Sequence, residues 1–149
     1  MGTRSRIGVM HGDNCKSVYC HWDGYLGYVG RILLEHYDSA KANHLVALGD
    51  LSSLRPEIGS EHPFSYIGEM DSAEYDKLYG DMCTFYGRDR GELSVSARRF
   101  KDFEDYKANH QYEEYEYILR QVDGKAVWFV ADHCDRYIEL EVAMAVEAA

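Results

Sequence analysis

The chain has 149 residues, a length that fits one domain with a core of its own. Apolar residues make up 46% and charged residues 28%, which excludes a disordered chain, and no apolar run approaches the ~20 residues of a membrane-spanning helix. The 16 basic and 26 acidic residues give a net charge of −10, and with no basic stripe this charge disfavours DNA or RNA as a partner.

The first predicted element is a β-hairpin. Residues 6–10 and 16–22 are rich in β-forming side chains, and Gly12-Asp13-Asn14 between them is a turn signal because Gly and Asn accept positive φ. Asp23 follows the second strand, and we expect it to cap the helix that comes next.

Two helices are predicted to follow. Residues 25–37 have apolar side chains at helical spacing, and a second helix is expected from Ser39 to Leu48, with Asp38 or Ser39 as its N-cap. Gly27 and Gly30 each cost about 1 kcal/mol relative to alanine in a helix, so their small size needs a reason. Close helix packing would provide it, as would the close approach of a ligand or of a partner subunit.

The middle of the chain is harder to interpret. Residues 50–54 are predicted to be a turn, and residues 56–83 a loop-rich acidic insertion with one helical segment at 72–79. Residues 82–86 alternate like a strand. Residues 97–109 fit a short amphipathic helix, on which Arg98, Arg99 and Lys101 would form a small basic cluster, more typical of a solvated face than of a site.

The later half predicts a second hairpin. Tyr115–Val130 contains two alternating runs around Asp123-Gly124, which is a strong hairpin signal, and the tail favours a helix that begins near Ile138. Because the strands come as local hairpins, we expect a single α+β domain over residues 1–149, an antiparallel sheet with helices packed on one side.

The first candidate binding segment is residues 20–25. Trp22 and Tyr25 offer rings on which a base could stack, and the following helix N-terminus is a natural seat for an anion. The alternative is that both rings belong to the core and that Asp23 only caps the helix.

The second candidate segment is residues 85–92. Arg88 and Arg90 stand two residues apart between glycines, a spacing that on an extended segment suits bidentate phosphate recognition, with Tyr86 placed to stack. The alternative is that these arginines pair with Asp89 and Glu92.

No enzymatic signature is present. The sequence contains no phosphate-binding glycine loop, no nucleophile elbow and no pair of histidines at metal-ligand spacing. Cys15, Cys20, Cys83 and Cys134 form no C-x-x-C pair, so reduced thiols are expected. We therefore expect neither an enzyme nor a metal or cofactor site.

Several motifs resemble a family of small proteins encoded by bacteriophages and prophages. The motifs that carry this resemblance are M-G-T-R-S at 1–5, Y-C-H-W-D-G-Y at 19–25, I-L-L-E-H-Y at 32–37 and L-G-D-L-S-S-L at 48–54, with further similarity at 88–92 and 115–130. The chain is also similar to the phage Thoeris anti-defence sponges. The 56–83 stretch departs most from the pattern.

The resemblance implies a homo-oligomer in the cytoplasm of an infected bacterium. It also implies that the protein sequesters cyclic ADP-ribose isomers, and in some members cyclic oligonucleotides, without hydrolysing them. Trp22, Tyr25, Tyr86, Arg88 and Arg90 would be the ligand-binding residues, selected on their chemistry. The alternative function is an acidic inhibitor that binds a host nuclease by imitating DNA, as some anti-CRISPR proteins do.

Overall fold

The computed structural model describes residues 3–65, 70–111, 113–132 and 136–148. Its regular elements in chain order are β1 (Ser5–His11), β2 (Asn14–Cys20), a π-helical turn (Leu26–Gly30), α1 (Arg31–His36), α2 (Ser39–Ala47), β3 (Leu51–Ser53), α3 (Ser72–Tyr79), β4 (Thr84–Phe85), α4 (Tyr86–Arg90), β5 (Arg98–Phe100), α5 (Phe103–Ala108), β6 (Tyr115–Val122), β7 (Lys125–Asp132), β8 (Ile138–Glu139) and α6 (Leu140–Ala148). Within these ranges no helix has the length and apolar character needed to cross a membrane.

The strands form one mixed sheet. Its order is β4-β3-β2-β1-β6-β7-β8, and β5 pairs with the stretch of β2 that β3 leaves free. Most neighbouring strands are antiparallel, whereas β1–β6 and β2–β3 are parallel. The predicted α+β class is therefore confirmed.

Both predicted hairpins are present. β1 and β2 pair from Ser5↔Cys20 to His11↔Asn14, with Gly12 at φ 61° in the turn. β6 and β7 pair around Asp123-Gly124, whose φ angles of 52° and 81° are those of a tight hairpin turn. The parallel pairing of β1 with β6, which joins the two hairpins, was not predicted.

The helical region after β2 begins later than expected. Asp23 has a φ of 57° and caps no helix, so the prediction that it is an N-cap is wrong. The chain instead enters a π-helical turn after Tyr25 and continues as α1. The cap of α2 is confirmed, since Asp38 Oδ1 accepts a hydrogen bond from the Lys41 N–H at 2.9 Å.

The main core lies between one face of the sheet and helices α1, α2 and α6. Ile7 and Tyr117 on the strands pack in the same cluster as Leu33 and Leu140 on the helices. A Cβ on Gly30 would lie 3.3 Å from Leu140 and 3.4 Å from the Tyr117 hydroxyl. The small size of Gly30 therefore serves packing inside the chain. A short helix, α5, contacts the opposite face of the sheet.

The two ends of the 56–83 stretch meet. The Glu57 N–H donates to Asp81 O and the Cys83 N–H donates to Glu57 O, at 3.0 and 2.8 Å. α3 occupies the predicted helical segment, and none of its residues is buried.

One local prediction is wrong and two are right only in part, and in each case contacts distant in sequence decide the structure. Residues 50–54, predicted as a turn, contain β3, which pairs with β2 and β4. The predicted strand at 82–86 is reduced to the two residues of β4, after which the chain turns into α4, and the predicted helix at 97–109 is divided into β5 and α5. The predicted helix of the tail is present as α6, directly after the two-residue strand β8.

Candidate functional site

Strand pairing gathers polar side chains on the face opposite the main core. Arg6 is paired with Tyr19 on one side and with Glu116 on the other, and Ser17 is paired with Arg98. Paired residues point to the same face of a sheet, so these side chains share one surface. We call this surface the polar face.

α5 covers only part of the polar face. Tyr106 lies directly over Gly8, where a Cβ would come within 3.0 Å of its ring. The uncovered part forms a cavity of about 280 Å³, lined among others by Arg6, Ser17, Tyr19, Asp50, Arg98 and Glu113. A smaller cavity of about 230 Å³ shares Tyr19 and Glu113 with it and adds Arg4. Together these make a recess rich in arginine; we refer to it as the Arg6 recess.

Arg6 is 2% exposed, and hydrogen bonds to neighbouring residues hold its guanidinium in place. Its Nη2 and Nε donate to Glu116 Oε1, and Nη2 also donates to the carbonyl of Tyr106 at 2.6 Å. The guanidinium lies 3.7 Å from the centre of the Tyr106 ring, and Tyr137 donates its hydroxyl proton to Glu116. Burial alone would lower the pKa of Arg6, but its neighbours, Glu116 among them, raise it, so the group is charged.

One nitrogen of this guanidinium lacks a partner among the described residues. Arg6 Nη1 is buried and donates no hydrogen bond to any of them, although Arg6 lines the cavity. A buried donor without an acceptor costs about 1–3 kcal/mol, and more when it is charged. An acceptor oxygen in the recess would remove this cost once the neighbouring side chains move enough to expose Nη1, because the atom is buried.

The recess also contains carboxylates. Asp50 Oδ1 accepts a hydrogen bond from the Tyr19 N–H at 2.9 Å. Tyr19 lies between the part of β2 that pairs with β5 and the residue of β2 that pairs with β3. Burial raises the pKa of Asp50, and the Tyr19 N–H and the positive charge of Arg98 partly offset that rise. Arginines and carboxylates together suit a ligand that carries both an anionic group and hydrogen-bond donors.

An aromatic edge adjoins the recess at Tyr19. The Tyr19 hydroxyl and His21 Nδ1 are 2.7 Å apart, and the His21 ring meets the Trp22 ring edge-on with centroids 4.6 Å apart. Trp22 is 44% exposed, so part of its ring is available for stacking. The alternative that Trp22 belongs to the core is therefore wrong.

Two of the other predicted residues lie at the same edge. The Trp22 N–H donates to the carbonyl oxygen of Ser52. Burial raises the pKa of Tyr86, and a hydrogen bond with the Ser52 hydroxyl partly offsets that rise, so Trp22 and Tyr86 both lie beside Ser52. The Arg90 guanidinium lies 5.2 Å from the centre of the Tyr86 ring and 4.5 Å from that of Phe64. Arg90 also forms an ion pair with Glu92, as the alternative interpretation held, and half of its side chain is exposed.

Arg88 is used within the fold. It pairs with the buried Asp89 at 3.0 Å and donates to the carbonyls of Gly59 and Cys83. The prediction that Arg88 and Arg90 point the same way from an extended segment is wrong, because residues 86–90 form α4. Arg88 thus ties the 56–83 stretch to α4, and we leave it out of the site.

Tyr25 lies apart from the aromatic edge. It is 43% exposed, and its ring pairs with that of Tyr28 at 6.3 Å. Tyr28 in turn accepts a hydrogen bond from Arg55 Nη1. Tyr28 packs against the main core, so Tyr25 lies near the helices and away from the aromatic edge.

The sequence did not identify the residues that line the recess. Arg6, Tyr19 and Arg98 come from three strands, and only their register places them together. One signal was available, since Arg6 directly precedes the apolar run of β1 within a predicted strand, and a buried arginine needs a partner or a role. Arg98 was assigned to a helix face, whereas it belongs to β5.

The comparisons with known proteins identify no relative: no family model, no curated protein and no solved structure matches this chain.

Proposed function

We propose that the chain is a non-catalytic binding protein that sequesters a small nucleotide-type signal in the Arg6 recess. The observation that carries the proposal is Arg6 Nη1, a buried and charged donor for which the described part of the chain offers no acceptor, on a residue that lines a cavity next to Arg98. A phosphate oxygen is the acceptor that arginine recognises best.

The aromatic edge supports a ligand that also carries a base. Trp22 exposes its ring close to the recess, and Tyr86 lies beside Arg90 at the same edge. Stacking on such rings contributes about 1–3 kcal/mol per base and tolerates different bases. Phosphate held by arginine and base held by stacking would together retain a cyclic nucleotide.

The resemblance to the Thoeris anti-defence sponges suggests the finer assignment. In that interpretation the ligand is a cyclic ADP-ribose isomer, or a cyclic oligonucleotide, and its retention blocks host immune signalling. A sponge needs affinity and abundance rather than turnover, so no catalytic group is required of the recess.

The test is a thermal-shift series with cyclic ADP-ribose isomers and cyclic di- and trinucleotides. A ligand that binds only the folded state stabilises it by about 4 kcal/mol at a thousandfold excess over its Kd. We expect one of these compounds to raise the Tm, and Arg98→Gln to abolish the rise. Lys125→Gln, which removes the same charge at the far hairpin, should retain it. No rise with any of the compounds would overturn the proposal.

A recovery experiment separates sequestration from hydrolysis. The bound ligand is released by heat-denaturing the protein and identified by mass spectrometry. Intact ligand supports sequestration, whereas a cleaved product identifies an enzyme.

The acidic-inhibitor alternative has one supporting observation. α3 buries none of its residues and presents Glu74 and Asp76 at the surface, beside the exposed Leu78. A salt-sensitive complex with a basic nuclease, in the absence of any nucleotide-induced stabilisation, would favour that function.

A further inference from the structure

A second group of basic side chains lies at the outer edge of β5, away from the Arg6 recess. Lys16 of β2 and Arg99 of β5 are directly paired across the antiparallel strands. Together with Lys101 and His11 they line a cavity of about 430 Å³, which includes neither Arg6 nor Arg98. We call this group the Lys16–Arg99 cluster.

The pairing of Lys16 with Arg99 is unfavourable by itself. Side chains directly opposite each other in an antiparallel pair have Cβ atoms about 5 Å apart, and two side chains of like charge in such positions destabilise the strand pair. Strands usually place opposite charges or uncharged residues in such positions. A local arrangement that opposes folding is a reason to look for a function at the site.

The structure does not neutralise these charges. Among the described residues no carboxylate lies within ion-pair distance of the Lys16, Arg99 or Lys101 side chain. Asp105 binds Lys101 only through its backbone N–H, at 2.9 Å. Arg99 and Lys101 are exposed, so an anion from solution can reach them. In a chain with a net charge of −10, three cations around one cavity are a marked local excess.

We propose that the Lys16–Arg99 cluster is a second anion site, which takes a compact phosphate anion with two or more negative charges. A multiply charged anion between Lys16 and Arg99 converts their repulsion into two attractions. Arginine supplies paired N–H donors that match phosphate oxygens, and the lysine ammonium groups supply point charges. Net anionic character elsewhere does not prevent this, because charges beyond about 10 Å are screened.

The test uses inorganic pyrophosphate as the probe, with sodium chloride at matched ionic strength as the reference. Pyrophosphate should raise the Tm of the wild-type protein above the Tm in sodium chloride. Lys16→Gln/Arg99→Gln should have a smaller rise, because only the Arg6 recess would still bind pyrophosphate, and should have a higher Tm than the wild type when pyrophosphate is absent. The wild type would then be less stable than the double variant without pyrophosphate and would gain more stability when pyrophosphate is added, as expected for a like-charged pair that an anion stabilises.

Two controls make the result specific. Lys77→Gln removes an exposed positive charge on α3, away from both proposed sites, and should keep the pyrophosphate response. Lys125→Gln, at the distant hairpin, should keep it too. Equal stabilisation of the double variant and the wild type by pyrophosphate, or no stabilisation of the wild type, would overturn the proposal.

Discussion

Glu116 accepts hydrogen bonds from two nitrogens of the Arg6 guanidinium through one oxygen, and the third nitrogen has no partner within the ranges that the structure describes. Both side chains are almost fully buried, at 2% and 6% exposure. Tyr106 and Tyr137 complete the surroundings of the pair on the side of α5. The arginine is therefore rigid before any ligand arrives, and preorganisation of this kind reduces the entropy lost on binding.

The first prediction concerns the stability of this pair. Glu116→Gln leaves a buried guanidinium without its counter-charge, and breaking a buried ion pair in this way costs about 3–5 kcal/mol. The free energy of unfolding, measured by urea denaturation, should fall by that amount. Glu104→Gln, which breaks the exposed pair with Lys107, should cost less than about 1 kcal/mol. Equal losses in the two variants would show that the Arg6 pair has no special role.

The second prediction concerns Gly49, which directly precedes Asp50 of the recess. Gly49 has a φ of 87°, and a Cβ there would lie 2.4 Å from the carbonyl oxygen of Val95. Gly49→Ala should therefore destabilise the fold by about 1–2 kcal/mol for the left-handed backbone, and by about 1–3 kcal/mol more for the collision.

Gly12→Ala is the matched control for that variant. Gly12 has a φ of 61°, and no atom lies within 4 Å of a Cβ built there, so only the backbone cost applies. Urea denaturation should give a larger loss for Gly49→Ala than for Gly12→Ala. If the two losses are equal, the contact with Val95 does not restrain the segment that carries Asp50.

The third prediction concerns alkaline pH. Burial raises the pKa values of Tyr106 and Tyr117 far above the ordinary value of 10.0. Ionisation in the unfolded chain near pH 10 precedes ionisation in the folded chain, so the contribution of these tyrosines is intact below about pH 10 and is lost as the pH rises further. Burial also raises the pKa values of the Cys15 and Cys20 thiols to about 12, so their contribution is lost from about pH 9 upwards. The urea midpoint should therefore be constant to about pH 8, begin to fall near pH 9 and fall further towards about pH 11.

Tyr106→Phe tests the origin of that fall. This variant removes one buried titrating group together with its hydrogen bond to Tyr117 O. Its stability should be lower at neutral pH but less dependent on pH above about 10. An unchanged alkaline slope would assign the fall to other groups.

Local patterns in the sequence predicted the parts of the fold that local interactions determine. Both hairpins carry their turn residues, Asp38 caps α2 as its position indicated, and α3 occupies residues 72–79. β3 and β5 have three residues each and exist only through their partner strands. No periodicity can be recognised over so few residues, and this explains why these two strands were missed.

The site was predicted only in part for the same reason. Trp22, Tyr86 and Arg90 lie at the aromatic edge as chemically reasonable candidates, but Arg88 is used inside the fold by Asp89. The recess depends on the register between β1, β2, β5 and β6, and especially on the parallel pair β1–β6. That register is set by tertiary packing, which one sequence does not reveal.

The most direct test of the account is a crystal structure of the protein with the nucleotide that gives the largest thermal shift. The account predicts that a phosphate oxygen lies within about 3 Å of Arg6 Nη1 and near Arg98, with the base stacked against an aromatic ring at the edge that Trp22 and Tyr86 share. A nucleotide bound elsewhere, with Arg6 Nη1 still lacking a ligand acceptor, would contradict it.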